Sequence, residues 1–320
     1  MKRMPSLGGF LIGVAIAAPA VATTAGAKSE FITLGTMGGP IPSAHRSQPA
    51  SLLRYNGEDV LIDAGDGVSE QLAKIGIPLG EVRTIFLSHL HFDHTGGLFG
   101  FLGLRYQVQN RLPVTIYGPV GTARLVAGLL AAMQPGADIG VGYPGKARRP
   151  PEDTVHVVEI GDGTRMRLGR LTVSSVTNSH YSFPEGTAEA SRSQSLSLRF
   201  DLPDRSILYT GDTGPSSKVE RLGRGADLMV SEVIEANFAL SDLKRNSPDI
   251  PPQALAQIGR HFAEQHLSPE QASILAQRAG VRKLVFTHAV IGDGEINQLR
   301  ADASSHFKGA IVVARDLDRF

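Results

Sequence analysis

The sequence predicts an α/β fold. Short apolar runs that end at Gly, Pro or Asn are typical of strands, as at residues 31–34 and 114–117. Stretches whose apolar residues recur at helical spacing lie between such runs, as at residues 68–75 and 123–133. Histidine or aspartate follows several of the predicted strands, so we expect one edge of the sheet structure to carry a polar site.

The first half of the chain alternates between these two kinds of element. Residues 51–55 and 59–62 predict a hairpin around Asn56-Gly57, a pair that favours a tight turn. Residues 96–108 are apolar enough for a helix that is buried on one side. The Gly- and Pro-rich residues 135–151 predict a loop or lid over one edge of the site.

The second half contains more strands. Residues 155–160 and 166–176 predict two strands about a turn at residues 161–163. Apolar or alternating runs predict four further strands, at residues 195–200, 206–209, 228–230 and 283–286. No internal repeat or Pro/Ser-rich linker divides the chain, so we expect one domain over residues 28–320.

Residues 1–27 have the layout of a secretory signal peptide. Two basic residues precede an apolar run at residues 10–22, and small residues at 20–22 and 25–27 offer cleavage sites. The run is short for a membrane span, although an uncleaved anchor is the alternative. We therefore expect a periplasmic or secreted protein with no stable membrane span after cleavage. The absence of cysteine excludes a lipid-attachment site, a disulfide framework and a thiolate nucleophile.

The charge balance argues weakly against nucleic acid as a partner. Subtracting Lys2 and Arg3 from the 32 basic residues leaves 30, against 31 acidic residues. Proteins that bind nucleic acid normally carry a basic excess or a basic patch. The one visible basic cluster, at residues 146–149, is typical of a solvated loop. We therefore expect nucleic acid not to be the main substrate.

Residues 88–97 indicate a metal site. Three of the ten histidines and one aspartate fall within six positions of this stretch, directly after the apolar run at residues 83–87. His89 and His91 are two residues apart, so on an extended backbone they point the same way and can share one metal. Asp93 and His94 follow as the chain turns and can reach a second ion. Imidazoles and a carboxylate without thiolate suit catalytic zinc or a similar divalent ion.

This stretch resembles the H-x-H-x-D-H signature of the metallo-β-lactamase superfamily. A polar loop that contains histidines by chance is the alternative, and the clustering disfavours it. The resemblance implies a four-layer αββα sandwich, in which two mixed β-sheets are flanked by helices and metals bind at one edge. Motifs further along the chain fit the superfamily in order, each at the end of a predicted strand: Asp63 before the cluster, and His180, Asp212 and His288 after it.

The resemblance implies two divalent metal ions, with Zn2+ favoured and Mn2+ as the alternative. The implied ligands of the first ion are His89, His91, His180 and Asp212. The implied ligands of the second ion are Asp93, His94, His288 and Asp212. Asp212 can bridge the two ions because a carboxylate has two oxygens. Asp63 is expected to orient ligands through hydrogen bonds.

Three further matches resemble the tRNase Z-like branch of the superfamily. They are Leu34-Gly35-Thr36 followed by Pro40 and Arg46, Ser231-Glu232 after a strand, and the stretch at residues 266–272 that begins with His266. The resemblance implies that Glu232 orients His266, which protonates the leaving oxygen. An exposed histidine at a helix start is the alternative for His266.

The predicted catalytic residues are thus Asp93, His266 and Glu232. Arg46 is predicted to bind an anionic substrate through its planar fork of donors, and a surface arginine is the alternative. The remaining histidines of the mature chain that match nothing in the superfamily are expected to be structural or surface residues; they include His156, His261 and His306.

Departures from the tRNA-processing pattern shape the functional prediction. Only 31 positions separate His180 from Asp212, which leaves no room for a flexible tRNA-binding arm. In addition, Ser231 replaces the first residue of the branch's His-Glu-Ala-Thr motif. Together with the predicted signal peptide, these departures favour the secreted arylsulfatase-like members of the branch. We therefore predict a binuclear metal-dependent hydrolase of small anionic esters that uses a metal-bridging hydroxide.

Other functions remain open at this point. A phosphodiesterase or tRNase Z-like 3'-processing ribonuclease is the first alternative, because the same metal chemistry acts on phosphorus or sulfur. A β-lactamase or lactonase is the second alternative, and a metal-binding protein without activity is the third. Dimers are common in this branch, so a homodimer is possible, but no stretch of the sequence identifies an interface.

Overall fold

The computed structural model describes residues 28–108, 112–143, 149–184 and 186–320. The predicted signal peptide, residues 1–27, lies outside these ranges, and so does most of the basic run at residues 146–149. Within the described ranges, none of the helices has both the length and the apolar composition that crossing a membrane requires.

Six strands form the first sheet. In chain order they are β1 (Glu30–Gly35), β2 (Ala50–Tyr55), β3 (Glu58–Ile62), β4 (Val82–Phe86), β5 (Val114–Gly118) and β6 (Val155–Glu159). They lie side by side in the same order. The first three strands are antiparallel, and β3 to β6 are parallel. The hairpin predicted around Asn56-Gly57 is confirmed, because it joins β2 to β3.

Seven strands form the second sheet. In chain order they are β7 (Arg165–Leu168), β8 (Leu171–Thr177), β9 (Leu196–Asp201), β10 (Ser206–Tyr209), β11 (Leu228–Ile234), β12 (Lys283–Val290) and β13 (Ala310–Val313). They too lie side by side in chain order. Strands β7 to β10 are antiparallel, and β10 to β13 are parallel. Each sheet therefore combines an antiparallel meander with a parallel part.

Ten α-helices accompany the strands in the described residues. They are α1 (Val68–Lys74), α2 (Phe92–Thr95), α3 (Leu98–Gln107), α4 (Thr122–Ile139), α5 (Ala188–Arg192), α6 (Ser217–Leu222), α7 (Ala236–Asn246), α8 (Pro252–Glu264), α9 (Pro269–Ala279) and α10 (Ile296–His306). Helices α1, α3 and α4 pack on the outer face of the first sheet. Helices α6, α9 and α10 pack on the outer face of the second sheet.

The two sheets pack face to face through a shared apolar layer. Consecutive residues of a strand point to opposite faces, so Leu52 joins the helix-facing core and Leu53 joins the layer between the sheets. The rings of Phe86 and Phe200 meet edge to face across this layer, with centroids 5.7 Å apart. The αββα sandwich implied by the sequence is therefore confirmed.

The prediction of a loop from residue 135 is wrong at its beginning. Helix α4 continues through Pro135 to Ile139. Proline disfavours a helix interior because it removes a hydrogen bond and crowds the preceding turn. The helix nevertheless persists, because its apolar side packs on the first sheet through Val126, Leu130 and Met133.

The turn predicted at residues 161–163 does not join two strands of one hairpin. Strand β6 ends the first sheet and β7 begins the second, so these residues carry the chain from one sheet to the other. The single strand predicted at residues 166–176 is two strands, β7 and β8, that turn at Gly169 with a positive φ of 58°. Alternation of apolar residues marks a strand but does not identify its neighbours.

Candidate metal centre

The carboxyl ends of strands from both sheets meet at one edge of the sandwich. Asp63 follows β3, and the histidine-rich stretch at residues 88–94 follows β4. From the second sheet, His180 follows β8, Asp212 follows β10, and His288 lies within β12. Parallel strands end at the same edge, which is why residues far apart in the sequence converge there.

Three imidazoles form a first cluster, made of His89, His91 and His180. The Nδ1 atom of His91 lies 3.2 Å from Nε2 of His89 and 3.0 Å from Nε2 of His180. One oxygen of Asp212, Oδ2, is 3.9 Å from Nε2 of both His89 and His180. Three nitrogens and one carboxylate oxygen thus face a common point.

A second cluster contains Asp93, His94, Asp212 and His288. Oδ2 of Asp93 lies 3.5 Å from Nε2 of His94 and 3.3 Å from Nε2 of His288. Asp212 contributes Oδ1 at 3.3 Å from Nε2 of His94 and Oδ2 at 3.2 Å from Nε2 of His288. Its carboxylate therefore lies between the two clusters.

The two clusters fit divalent cations. Nε2 of His94 and Oδ1 of Asp212 are buried, and neither has a hydrogen-bond partner within the part of the chain that the structure describes. A buried polar atom without a partner costs about 1–3 kcal/mol, so such atoms normally meet an ion or water. Imidazoles and carboxylates are also the donors that zinc and related ions prefer.

The electrostatics favour positive charge at the second cluster. In the first cluster, by contrast, burial lowers the pKa of His89 and His180, so their nitrogen lone pairs remain available to a metal ion. Burial also opposes protonation of His288, but the neighbouring Asp212 carboxylate outweighs it and raises the pKa of His288 to about 10. A proton there occupies the position that a cation would take, and metal binding would displace it.

Asp63 supports the centre from beneath. Its carboxylate accepts hydrogen bonds from N and Oγ of Ser88 at 2.7 and 2.8 Å, and from the hydroxyl of Tyr209 at 2.8 Å. Oδ2 of Asp63 is also 2.8 Å from Nδ1 of His94, so it holds that ring with Nε2 toward the second cluster. Asp63 adopts a positive φ of 58°, a conformation that is unusual for a residue other than glycine.

Sequence reasoning missed the contribution of Tyr209. Burial, together with the adjacent Asp63, raises the pKa of the Tyr209 phenol, so its hydroxyl remains a proton donor to that carboxylate. The signal available in the sequence was weak, because Tyr209 is the last residue of β10 and is 146 positions from its partner.

A β-bulge positions His288. In the pairing of β11 with β12, Ser231 and Val233 are two residues apart, whereas their partners Phe286 and Ala289 are three apart. His288 lies in this irregular stretch and has a positive φ of 45°. Bulges of this kind redirect a side chain next to an active site. The sequence predicted that the strand would end before His288, but it continues to Val290.

The glycine-rich turn after β1 packs directly against the second cluster. The backbone N–H of Gly39 donates to Oδ2 of Asp93 at 3.0 Å. A Cβ atom at Gly39 would lie 2.5 Å from Cγ of Asp93, and one at Gly38 would lie 2.6 Å from Nδ1 of His288. Only glycine allows this approach, so the turn fixes the orientation of Asp93.

Glu232 and His266 form a buried pair beside the second cluster. Nδ1 of His266 lies 2.7 Å from Oε2 of Glu232 and 4.0 Å from Oδ2 of Asp212. The other oxygen of Glu232 accepts from the backbone N–H of Thr213 at 2.7 Å. The Glu232 carboxylate raises the pKa of His266 although burial opposes it, and burial raises the pKa of Glu232. The Glu232 carboxylate therefore stabilises the protonated form of His266.

A cavity of about 460 Å³ opens over the second cluster and is called the metal cavity below; its lining includes Asp93, Asp212, His266 and His288. Phe92 stands at its mouth with 91% of its surface exposed. The opposite wall is apolar and comes from Leu243 of α7 and from Ile258 and Phe262 of α8. The volume lies within the range of about 300–1,000 Å³ that small-molecule sites usually have.

His261 lies in this cavity, not on the remote surface that the sequence suggested. Its Nε2 atom is 3.3 Å from Nε2 of His266, and its ring lies 5.1 Å from that of His180 between centroids. Its helical spacing from Ile258, three residues earlier, was the available signal. His156 is exposed, and His306 lies 3.6 Å from Glu270 on the surface.

Arg46 lies next to the metal cavity without lining it. Its Nη1 atom donates to the carbonyl oxygen of Ala289 at 2.9 Å and to that of Thr36 at 3.4 Å. Arg46 thereby ties the loop after β1 to the residue that follows His288. It lines the cavity that adjoins the metal cavity, and its role toward an anionic substrate stays a prediction.

Comparison with known families agrees with this geometry. The model of the "Beta-lactamase superfamily domain" matches residues 58–289, which contain all of the ligand motifs described above. The chain belongs to the metallo-β-lactamase superfamily. It is accordingly a metal-dependent hydrolase that acts on ester bonds.

Within this superfamily, the chain is similar to ribonucleases Z. It is 32% identical over 295 residues to ribonuclease Z of Mycobacterium avium strain 104, covering 91% of this chain and 97% of that protein. The fold is shared with the metallo-β-lactamase fold protein YhfI of Bacillus subtilis, with a TM-score of 0.64 and 18% identity over 92% and 100% of the two chains. It is also shared with the short form of human tRNase Z, with a TM-score of 0.61 and 22% identity over 91% and 98%.

Two predictions from the sequence are wrong in the light of these relatives. The arylsulfatase-like activity is wrong, because relatives that match over most of the chain are ribonucleases Z. The prediction that nucleic acid is not the main substrate is wrong for the same reason. Net charge was a poor guide, because it sums over the whole surface and conceals where the basic residues lie.

Proposed function

We propose that the protein is a metal-dependent phosphodiesterase that cleaves RNA near its 3' end, as a tRNase Z-like 3'-processing ribonuclease. The observation that carries this proposal is the buried Glu232–His266 pair, whose imidazole lies 4.0 Å from the carboxylate between the two clusters. Such a pair supplies a proton to a poor leaving group, which an RNA 3'-oxygen is. The ribonuclease Z relatives support the same substrate.

We assign the metal ligands as the sequence implied. His89, His91, His180 and Asp212 would hold one ion, and Asp93, His94, His288 and Asp212 would hold the other. Zn2+ is the preferred ion, with Mn2+ as the alternative, because the donors are imidazoles and carboxylates. When bound, the two ions supply an activated water and a Lewis acid for the phosphoryl oxygens.

The side chains around the ions divide the remaining work. Glu232 holds Nδ1 of His266 at 2.7 Å and thereby presents Nε2 of His266 toward the metal cavity. His266 donates its proton to the 3'-oxygen as the phosphorus–oxygen bond breaks. Asp93, fixed by the N–H of Gly39, would help to hold the second ion, and Arg46 stabilises the anionic substrate from the adjoining cavity.

The experiment that tests this function uses residues 28–320 with added zinc or manganese. A transcript with a short 3' extension is the RNA substrate, bis(p-nitrophenyl) phosphate is the small diester, and a chromogenic β-lactam serves as the comparison. We expect endonucleolytic cleavage of the RNA that a chelator abolishes and zinc restores. Hydrolysis of the small diester without cleavage of the RNA would contradict the ribonuclease proposal, and hydrolysis of the β-lactam alone would contradict phosphodiester chemistry.

We also propose that residues 1–27 direct export to the periplasm or beyond. The support is the basic start followed by the apolar run at residues 10–22. The test is the intact mass of the full chain after expression in a Gram-negative host, measured in separate cell fractions. A protein that retains residues 1–27 and remains in the cytoplasmic fraction would contradict export.

A further inference from the structure

We propose that a basic groove leads away from the metal cavity and binds the phosphate backbone of single-stranded RNA. The basic groove is defined by His45, Arg46, Lys74, Arg300 and Arg315. This inference rests on the proposed function, because it concerns how the same active site receives an RNA strand.

Three adjacent cavities form a path to this groove. The metal cavity shares Pro42, Gln48 and Asp66 with a middle cavity of about 230 Å³. The middle cavity shares residues with an outer cavity of about 550 Å³; the shared residues are His45, Arg46 and Asp316. The shared residues place the three cavities side by side, and an extended RNA chain would follow them in this order.

The outer part of this path is positively charged. The guanidinium groups of Arg46, Arg300 and Arg315 line the outer cavity, and Lys74 lines the middle cavity. Arg300 and Arg315 are exposed, and among the described residues no carboxylate lies within ion-pair distance of either guanidinium. Their charges are therefore available to an anionic ligand.

The acidic residue in the wall of the outer cavity, Asp316, is one carboxylate against three guanidinium groups, so the cavity keeps an excess of positive charge. Asp316 accepts hydrogen bonds from N and Oγ1 of Thr36 at 2.9 and 2.7 Å, from N of Ser47 at 2.7 Å, and from Nε2 of Gln71 at 2.8 Å. Its lone pairs are thus directed into the loop that they stabilise. Asp66 is exposed at the neck beside the metal cavity, so the basic character begins beyond it.

The groove lies at the same edge of the sandwich as the metal centre. Arg315 follows β13, which runs parallel to β12, the strand that carries His288. Arg300 belongs to α10, which packs against the second sheet. Arg46 reaches the carbonyl of Ala289, one residue beyond His288. A strand whose scissile phosphate sits at the metals therefore has its neighbouring phosphates near these cations.

The basic groove explains how a chain with a near-neutral charge can bind RNA. The formal net charge is only +1, but the cations are concentrated where a strand would leave the active site. Grooves that track a single-stranded backbone use such local concentrations of Lys and Arg. Between His180 and Asp212, the described residues form only α5, β9 and β10, where a tRNA-binding arm would have to be inserted. The groove offers binding surface outside this short segment.

The test compares two double variants with equal changes of charge. Arg300→Glu with Arg315→Glu reverses the groove. Arg167→Glu with Arg170→Glu is the matched control, because these residues flank the β7–β8 turn at the end of the second sheet opposite the metals. The readouts are the Kd for a single-stranded RNA oligonucleotide over a range of salt concentrations and the turnover of bis(p-nitrophenyl) phosphate.

We expect the groove variant to bind RNA about 10-fold or more weakly at low salt and to hydrolyse the small diester at the unsubstituted rate. The slope of log Kd against log salt should fall by about 1.4, or roughly 0.7 for each of two lost phosphate contacts. RNA binding and cleavage that match those of the control variant would overturn the groove and leave the proposed function standing. Failure of the unsubstituted protein to bind RNA while it hydrolyses the small diester would overturn both.

Discussion

The two halves of the molecule have similar sheets but build the metal centre in different ways. Each half contains an antiparallel meander followed by parallel strands. The first half supplies its residues from the ends of β3 and β4, mostly within the stretch at residues 88–94. The second half supplies single residues from three separate strands, spread from His180 to His288. One half therefore depends on a local turn, and the other depends on the order of strands in a sheet.

The geometry of the first half is therefore encoded locally, whereas that of the second half depends on long-range strand pairing. In the first half, the backbone of α2 sets the geometry, as when N of His94 donates to the carbonyl of His91 at 3.2 Å. In the second half, positioning the ligands requires that the consecutive strands from β8 through β12 pair in the correct register, and that a bulge forms at His288. Substitutions in each half can show how strongly the two halves depend on each other.

The largest effect is expected for Asp212→Ala, because Asp212 is the one carboxylate that faces both clusters in the described residues. Although Asp212 belongs to the second half, its loss should reduce the metal content of both clusters. The value of kcat/KM should fall by about 10³-fold or more, since metal chemistry supplies several kcal/mol. Metal content is measured by mass spectrometry of the elements, with Asp201→Ala at the end of β9 as control. An active protein that retains two ions would rule out a bridging role.

The next effect is expected for His266→Ala. The substitution should leave both ions in place and slow turnover by about 10²-fold or more for substrates with poor leaving groups, because a general acid contributes about 10²–10⁴. Diesters with p-nitrophenol as the leaving group should be slowed much less, since p-nitrophenolate departs without protonation. His156→Ala, on the exposed edge of the first sheet, is the control. Equal slowing of good and poor leaving groups would show that His266 is not the acid.

A smaller effect is expected for Asp63→Asn in the first half. This change keeps the size of the side chain but weakens its bonds to Ser88 and His94, so metal affinity should fall by about 10–100-fold. Tyr209→Phe removes only one bond, contributed by the second half, and should cost less. Competition with a chelator measures both. If the Tyr209 variant lost more metal than the Asp63 variant, the local origin of the first half's geometry would be wrong.

The smallest effect is expected as a shift in pH dependence for Glu232→Gln. The carboxylate raises the pKa of His266, so the acid form is present below that pKa and activity declines as pH rises through it. The neutral amide removes the charge, so the pKa falls and the declining limb of kcat should move to lower pH, by about one to three units. An unchanged limb would show that another group controls it.

The sequence predicted much of the fold because most strands and helices have clear local patterns. The hairpin at β2–β3 and the helices α1 and α3 appear where the sequence predicted them, give or take two residues at their ends. The pattern did not tell which sheet β6 and β7 join, since alternation reports burial on one face and not the identity of the neighbour. It also predicted a break at Pro135, where packing of Leu130 and Met133 keeps α4 helical.

At the site, the types of donor atom follow from the local sequence alone. The spacing of His89, His91, Asp93 and His94 restricts this stretch to imidazole and carboxylate donors that local backbone geometry can direct to metal ions. Asp212 and His288 could be predicted from their motifs after predicted strands. Their distances to the cluster could not be predicted.

Which distant residues share that site depends on how the strands and helices pack in three dimensions. This packing brought His261 to within 3.3 Å of His266, placed Tyr209 against Asp63, and gathered Arg300 and Arg315 in the outer cavity. These contacts depend on sheet register and helix packing between residues that are remote in the chain. Local propensity carries no information about such pairings, because their energy exists only once the elements have met.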